Sequence, residues 1–189
     1  MMTEKDDHKE TYAVVGELVM ISNAIDHALN RVLMAFLNIG DHDIMVEPIV
    51  ATLDARQKIE ILKERAKFIG NNDWKRAVGK YCDQVESVLR QRNIACHTPA
   101  FLKDNTWTFT PVAAAKMFKN VDLKRKTINH FSLNELKTAI KTGEAALGGG
   151  ENLIENFKRA NVELRKKAAV ELRKKAAAAA EALDSTIRR

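Results

Sequence analysis

Apolar residues recur along this chain at helical spacing. In the first long stretch, Val14, Leu18, Ile21, Ile25, Ala28 and Val32 follow one another at steps of four and three. That rhythm marks one face of an amphipathic helix, with Gly40 the expected stop. Pro48 suits the first turn of a following helix, and Asp54 can cap a further start. Ile59, Leu62, Ala66 and Ile69 then form a second stripe, which Gly70 closes. The "NNDW" segment supplies capping residues for a third helix over roughly residues 73–96, whose stripe is Trp74, Val78, Tyr81, Val85 and Val88. The next position on that stripe is Arg92.

From Thr98 to Phe131 the helical period is lost. "FLKDNTWTFT" alternates around an Asp-Asn pair, with Trp107 and Phe109 on one side and threonines on the other, which predicts a short β-hairpin or an irregular flap. Ser132 and Glu135 have capping-box spacing, so a fourth helix is expected there, running to about Leu147 and broken by Gly148, Gly149 and Gly150. The last segment differs in kind. "VELRKKAA" at 162–169 is repeated unchanged at 170–177, and residues 176–180 are all alanine. Phe157, Ala160, Leu164, Ala168 and Leu172 give only a thin apolar stripe. Such a sequence is strongly helix-favouring, but one short duplication does not make a solenoid.

The expected architecture is all-α: an antiparallel helical bundle of four to five helices with a small β-hairpin or irregular insertion and a long C-terminal helical extension. The expected organisation is a flexible N-terminus at 1–10, the bundle at 11–147, a glycine linker at 148–150 and a basic helical extension at 151–189.

Composition narrows the class. The chain has 189 residues, 46% hydrophobic and 30% charged, as suits a soluble domain with an appendage. No apolar run approaches the roughly 20 residues that span a bilayer. The charged N-terminus lacks a signal peptide's apolar region, so a cytoplasmic location and no membrane partner are expected. Cys82 and Cys96 lack metal-type spacing and fit buried or half-buried reduced thiols. The net charge of +6 sits in the tail: residues 157–189 carry ten Lys and Arg against four Asp and Glu, and the rest balances. The body is therefore no broad polyanion-gripping surface.

The chemistry concentrates in "LRQRNIACHTPAF", residues 89–101. Pro99 pushes Thr98 out of helical geometry, so the third helix must finish near His97. Asn93 and His97, four apart, share a helix face. Arg92 lies ~140° around from His97 at ~100° per residue. Arg92 and His97 meet one ligand only if the last turn loosens, or if two copies of this helix end come together. His97 at a helix C-terminus suits a cation or a general acid. Arg92 continues an apolar stripe, where a charge is costly unless satisfied. It snorkels out of the bundle end, or pairs with an acid such as Glu86, or is held in a cleft for an anion.

The Arg–four residues–His spacing is weak alone. Twelve Arg and five His give about 0.3 chance matches, and Arg125 to His130 is a decoy with the same spacing. Context sets the first match apart, and "RNIACH" at 92–97 resembles the Arg–polar–three residues–His signature of HEPN domains. These are small helical bundles with Arg and His near the end of a late core helix. The likeness covers about residues 11–147. It implies a metal-independent ribonuclease of the kind found among toxins and antiviral-defence effectors, working as a homodimer, with Arg92, Asn93 and His97 as the site and no cofactor. It implies RNA as substrate, with an antitoxin or defence protein as a further partner. The alternative it leaves is a non-catalytic HEPN module that binds nucleotide, RNA or a protein. A third reading makes the basic tail the functional part of an assembly protein.

Other chemistry is thinner. Asp41, His42 and Asp43 in "GDHD" read as a solvated turn, and His27 beside Asp26 as a surface or interface residue. Trp107 and Phe109 either stack bases or cover one end of the bundle. No Walker loop, GxGxxG, HExxH or GxSxG motif occurs, which argues against the enzyme classes those motifs carry.

Overall fold

A computed structural model describes residues 4–39, 46–103, 106–109, 121–122, 127–128 and 131–187. Five helices carry the described chain: α1 (Glu4–Phe36), α2 (Val46–Thr52), α3 (Ala55–Ala66), α4 (Asn72–His97) and α5 (Leu133–Ile187). Between α4 and α5 lie five short strands: β1 (Ala100–Lys103), β2 (Thr106–Phe109), β3 (Val121–Asp122), β4 (Thr127–Ile128) and β5 (Phe131–Ser132). The protein is an all-α bundle with a small β insertion and a long C-terminal helix.

The apolar stripes become the core. Val14, Leu18, Ile25, Ala28 and Val32 of α1 are buried, as are Ile59, Leu62 and Ala66 of α3 and Val78, Tyr81, Val85 and Val88 of α4. Each fully buried aliphatic side chain contributes about 1.5–3 kcal/mol. α1 and α5 run in the same direction: Glu10 pairs with Lys137 at 2.5 Å, and three helical turns or more further on Arg31 grips Glu151 through two bonds of 2.6 and 3.2 Å. α4 runs against α5, since Gly143 faces Val88 while Gly150 faces Tyr81. The insertion therefore joins antiparallel neighbours, and α4's C-terminus and α5's start share one end of the bundle.

The caps explain the boundaries. Asp54 caps α3 in a reciprocal box with Gln57, the two bonds being 2.8 and 2.9 Å. Asn71 caps α4 by accepting from the backbone N–H groups of Asp73 and Trp74 at 2.9 and 3.1 Å. Ser132 and Glu135 form the expected capping box at the start of α5. α1 ends differently from expectation. Asn38 takes the left-handed conformation with φ 58°, and the Ile39 N–H donates to the Met34 carbonyl at 3.0 Å. This Schellman-type stop does the work assigned to Gly40, which lies outside the described residues.

Two further expectations need correction. α1 begins at Glu4, inside the segment read as a flexible N-terminus. And α5 runs unbroken through Gly148, Gly149 and Gly150. Glycine's local cost, about 1 kcal/mol per residue against alanine, is offset by the tertiary burial of Ala146, Leu153, Ile154 and Phe157 on the same helix. Phe157 sits 4.8 Å from Phe36 and edge-on to Trp74 at 5.8 Å, which anchors the far end of the bundle.

The insertion is a hairpin as expected. β1 and β2 pair antiparallel with Ala100 opposite Phe109 and Lys103 opposite Thr106, and β5 joins β2 on its other side. Phe109 is buried in the core, so it covers the bundle end and is not free to stack a base.

Candidate functional site

The site is built by the way α4 ends. Helical geometry persists through His97, and Thr98 is extended at φ −130°, ψ 127°, as the following Pro99 requires. The last turn does not loosen. Arg92 and His97 thus remain ~140° apart around one straight helix end, while Asn93 and His97 lie on a common face and are both exposed. Neither of these two side chains hydrogen-bonds another among the described residues.

Arg92 occupies the core-facing position between two buried residues, Val88 and Ala95, and is itself half-buried. Its Nε is fully buried and has no hydrogen-bond partner among the described residues. Glu86 does not serve it. The Lys63 ammonium takes that carboxylate at 3.0 Å and Asp83 at 3.0 Å. The hydrogen bond that Lys63 donates to Asp83, with a smaller contribution from the one to Glu86, holds the Lys63 ammonium above its ordinary range despite partial burial. Pairing of Arg92 with Glu86 is thereby removed, and no other acid among the described residues pairs with it; snorkelling past the bundle end and a cleft for an anion stay open. The guanidinium carries one desolvated donor that no acceptor among the described residues satisfies, which is costly until an acceptor completes it.

Gln91 is a residue that the sequence did not single out. Its Oε1 is buried without a partner, directly beside Arg92 in the chain. Only the adjacency to Arg92 in the quoted motif signalled it. Lys58 was also missed: it is 1% exposed and reaches Asp26 at 3.4 Å. His27, next to Asp26, is exposed as expected.

The thiols divide. Cys82 is buried, and burial pushes its thiol up to about 12, whereas Cys96, one residue before His97, is exposed. The expectation of buried or half-buried thiols holds for Cys82 alone. An open surface groove of about 600 Å³ lies along α4 between Arg76 and Ser87 and takes in Thr142 of α5, but includes none of Arg92, Asn93 or His97. Asp41, His42, Asp43, Arg125 and His130 lie outside the described residues. Among the described residues, no three His, Cys, Asp or Glu side chains gather as a metal site, and no helix is long and apolar enough to cross a membrane.

The class that this fold defines is an all-α bundle with an Arg/Asn/His helix end beside a β-hairpin. Compared with known proteins, the chain matches no family model, no curated protein and no solved structure.

Proposed function

We propose that the chain is a HEPN-type, metal-independent endoribonuclease that works as a homodimer, with Arg92, Asn93 and His97 acting on the scissile phosphate. A role as a toxin or defence effector, partnered by an antitoxin or defence protein, belongs to the same reading. The observation that carries it is the state of Arg92: a half-buried guanidinium whose buried Nε lacks a partner among the described residues, one turn before an exposed histidine at a helix end.

The intact last turn bears on stoichiometry. With Arg92 and His97 on different faces of one helix, two copies of the helix end are needed to surround one phosphate. A two-fold pairing supplies two His97 side chains. One takes the proton from the 2′-oxygen as it attacks phosphorus. The other gives a proton to the departing 5′-oxygen, so the products are a 2′,3′-cyclic phosphate and a free 5′-hydroxyl. Arg92 offers a bidentate fork to the non-bridging oxygens, where negative charge builds in the transition state. Asn93, on the face of His97, orients the imidazole or binds a phosphate oxygen.

The test is Arg92→Ala/His97→Ala, checked for native helicity and the native oligomeric state. Cleavage is expected to fall by a factor of about 10² or more, the scale set by losing an acid–base group or an oxyanion donor. A folded double variant that cuts RNA as fast as the wild type overturns the reading. If the wild type binds RNA or nucleotide tightly but cuts nothing, the non-catalytic HEPN module takes its place.

A further inference from the structure

Past Asn161, α5 packs no described side chain into the core of the bundle. From Val162 to Ala177 every side chain is exposed, including Leu164 at 61% and Leu172 at 72%. The helix enters this region held firmly. Asn161 Nδ2 donates to the Ala35 carbonyl at 2.8 Å, and Arg165 Nη2 donates to Asn38 Oδ1 at 2.9 Å, so the end of α1 clamps the root of the arm. Beyond it the helix projects away from the bundle. We infer that this arm is a binding element for the phosphodiester backbone of RNA, set apart from the Arg92–His97 end.

Three features of residues 162–177 point to that occupant. The first is charge: six Lys and Arg stand against two Glu, all exposed, on a chain whose first 156 residues are electrically balanced. The second is the eight-residue period of the repeat. On a helix of ~100° per residue, eight residues advance the pattern by ~80°. Val170 is turned ~80° from Val162, and Leu172 likewise from Leu164, so the large apolar residues drift around the helix and the line that does run along it, Leu164, Ala168 and Leu172, is thin. A second helix needs a seam repeating about every 3.5 residues, and half of the apolar positions here are alanine. This argues against a second copy as the occupant. The third is that the helix is already formed. Alanine and the Glu–Lys spacing, seen in the Glu163–Lys166 pair at 2.9 Å, sustain it in solvent, so binding RNA carries no folding cost.

The arm's placement defines its role. Its root lies by Phe157 and Trp74, at the start of α4, whereas His97 ends α4 roughly 35 Å away at ~1.5 Å per residue. That span, which reaches only the root, already corresponds to about ten stacked nucleotides at ~3.4 Å each, and the basic residues lie further out along the helix. The arm holds long RNA remotely and does not touch the reacting phosphate. This inference rests on the ribonuclease reading for the identity of the polyanion, but its test needs no cleavage.

The experiment uses the full chain carrying His97→Ala, which keeps the RNA intact, and a fluorescent 30-nucleotide oligoadenylate. Binding is measured across a salt series, with and without Lys167→Gln/Arg173→Gln/Lys174→Gln/Lys175→Gln. A second set with alanine at the same positions, which favours helix still more, guards against melting of the arm. Both sets are expected to weaken binding at least tenfold at low salt. The slope of log K against log salt should become shallower by about 2, for about three lost phosphate contacts at ~0.7 each. Equal affinity and equal slope overturn the inference. So does a change in self-association by sedimentation with RNA binding untouched, which would assign the arm to a second copy. If the wild type fails to cut RNA yet the arm variants lose binding, the ribonuclease reading falls and the arm stands.

Discussion

The two halves of α5 are one continuous helix held for opposite reasons. The docked half contains Gly143, Gly148, Gly149 and Gly150, poor helix formers, and stays helical because Leu136, Ala139, Ile140, Ala146, Leu153, Ile154 and Phe157 are buried against α1 and α4. The free half buries no side chain from Val162 to Ala177 and stays helical because alanine, glutamate, arginine and lysine favour it locally. Helical structure therefore does not show whether a segment is packed. Tertiary burial sustains the first half and propensity the second.

The contrast breaks most sharply at large side chains. Phe157→Ala removes the ring shared by Phe36 and Trp74 and is expected to cost about 3–5 kcal/mol, read as a lowered urea midpoint. Leu172→Ala, on the free half, should shift the same midpoint by less than about 0.5 kcal/mol. Equal losses at the two sites would mean that the arm is packed in solution.

The glycines sharpen the comparison within the docked half. A Cβ at Gly143 would lie 2.3 Å from Ile21 Cγ2, so Gly143→Ala forces a core side chain aside and is expected to destabilise by about 1–3 kcal/mol. Gly148 and Gly149 meet nothing within 4 Å, so alanine there should stabilise by about 0.5–1 kcal/mol each. The opposite signs, measured by thermal unfolding, distinguish a helix held by close approach from one that merely tolerates glycine. Gly150 is intermediate, its added Cβ lying 3.1 Å from the Tyr81 ring.

Smaller effects come from the thiols and from pH. At pH 8, a thiol reagent should label Cys96 quickly and leave Cys82 until the protein unfolds, since Cys82 is buried and its thiol is pushed up to about 12. Burial raises the Tyr81 hydroxyl as well. Both groups ionise more readily in the unfolded chain. Their contribution to stability is therefore intact below about pH 9 and is lost as pH climbs toward about 12. Urea midpoints at pH 8 and 10.5 should show the decline.

Much of the fold was legible because its determinants are local. The stripes of α1, α3 and α4, the caps at Asp54, Asn71 and Ser132, and the stop forced by Pro99 all lie within a few residues of what they control. The run through Gly148, Gly149 and Gly150 was not legible, because its support comes from Phe36, Trp74 and Tyr81, distant in sequence. The Asn38 stop was hidden by Gly40, the more usual choice for a left-handed residue. At the candidate site, the sequence marked Arg92 as a charge on an apolar stripe and His97 as the last helical residue, and both descriptions match its geometry. What it could not give was the pairing of Glu86 with Lys63, the lack of a partner for the Arg92 Nε among the described residues, or the burial of Gln91 Oε1.

The most direct measurement is the chemistry of the cut ends. Mixed RNAs are incubated in EDTA with the wild type and, in parallel, with His97→Ala. If His97 is the acid–base group, the wild type leaves 2′,3′-cyclic phosphate and 5′-hydroxyl ends and the variant leaves none. Cleavage that persists in His97→Ala, or wild-type products bearing 5′-phosphates, would contradict the role given to the α4 end.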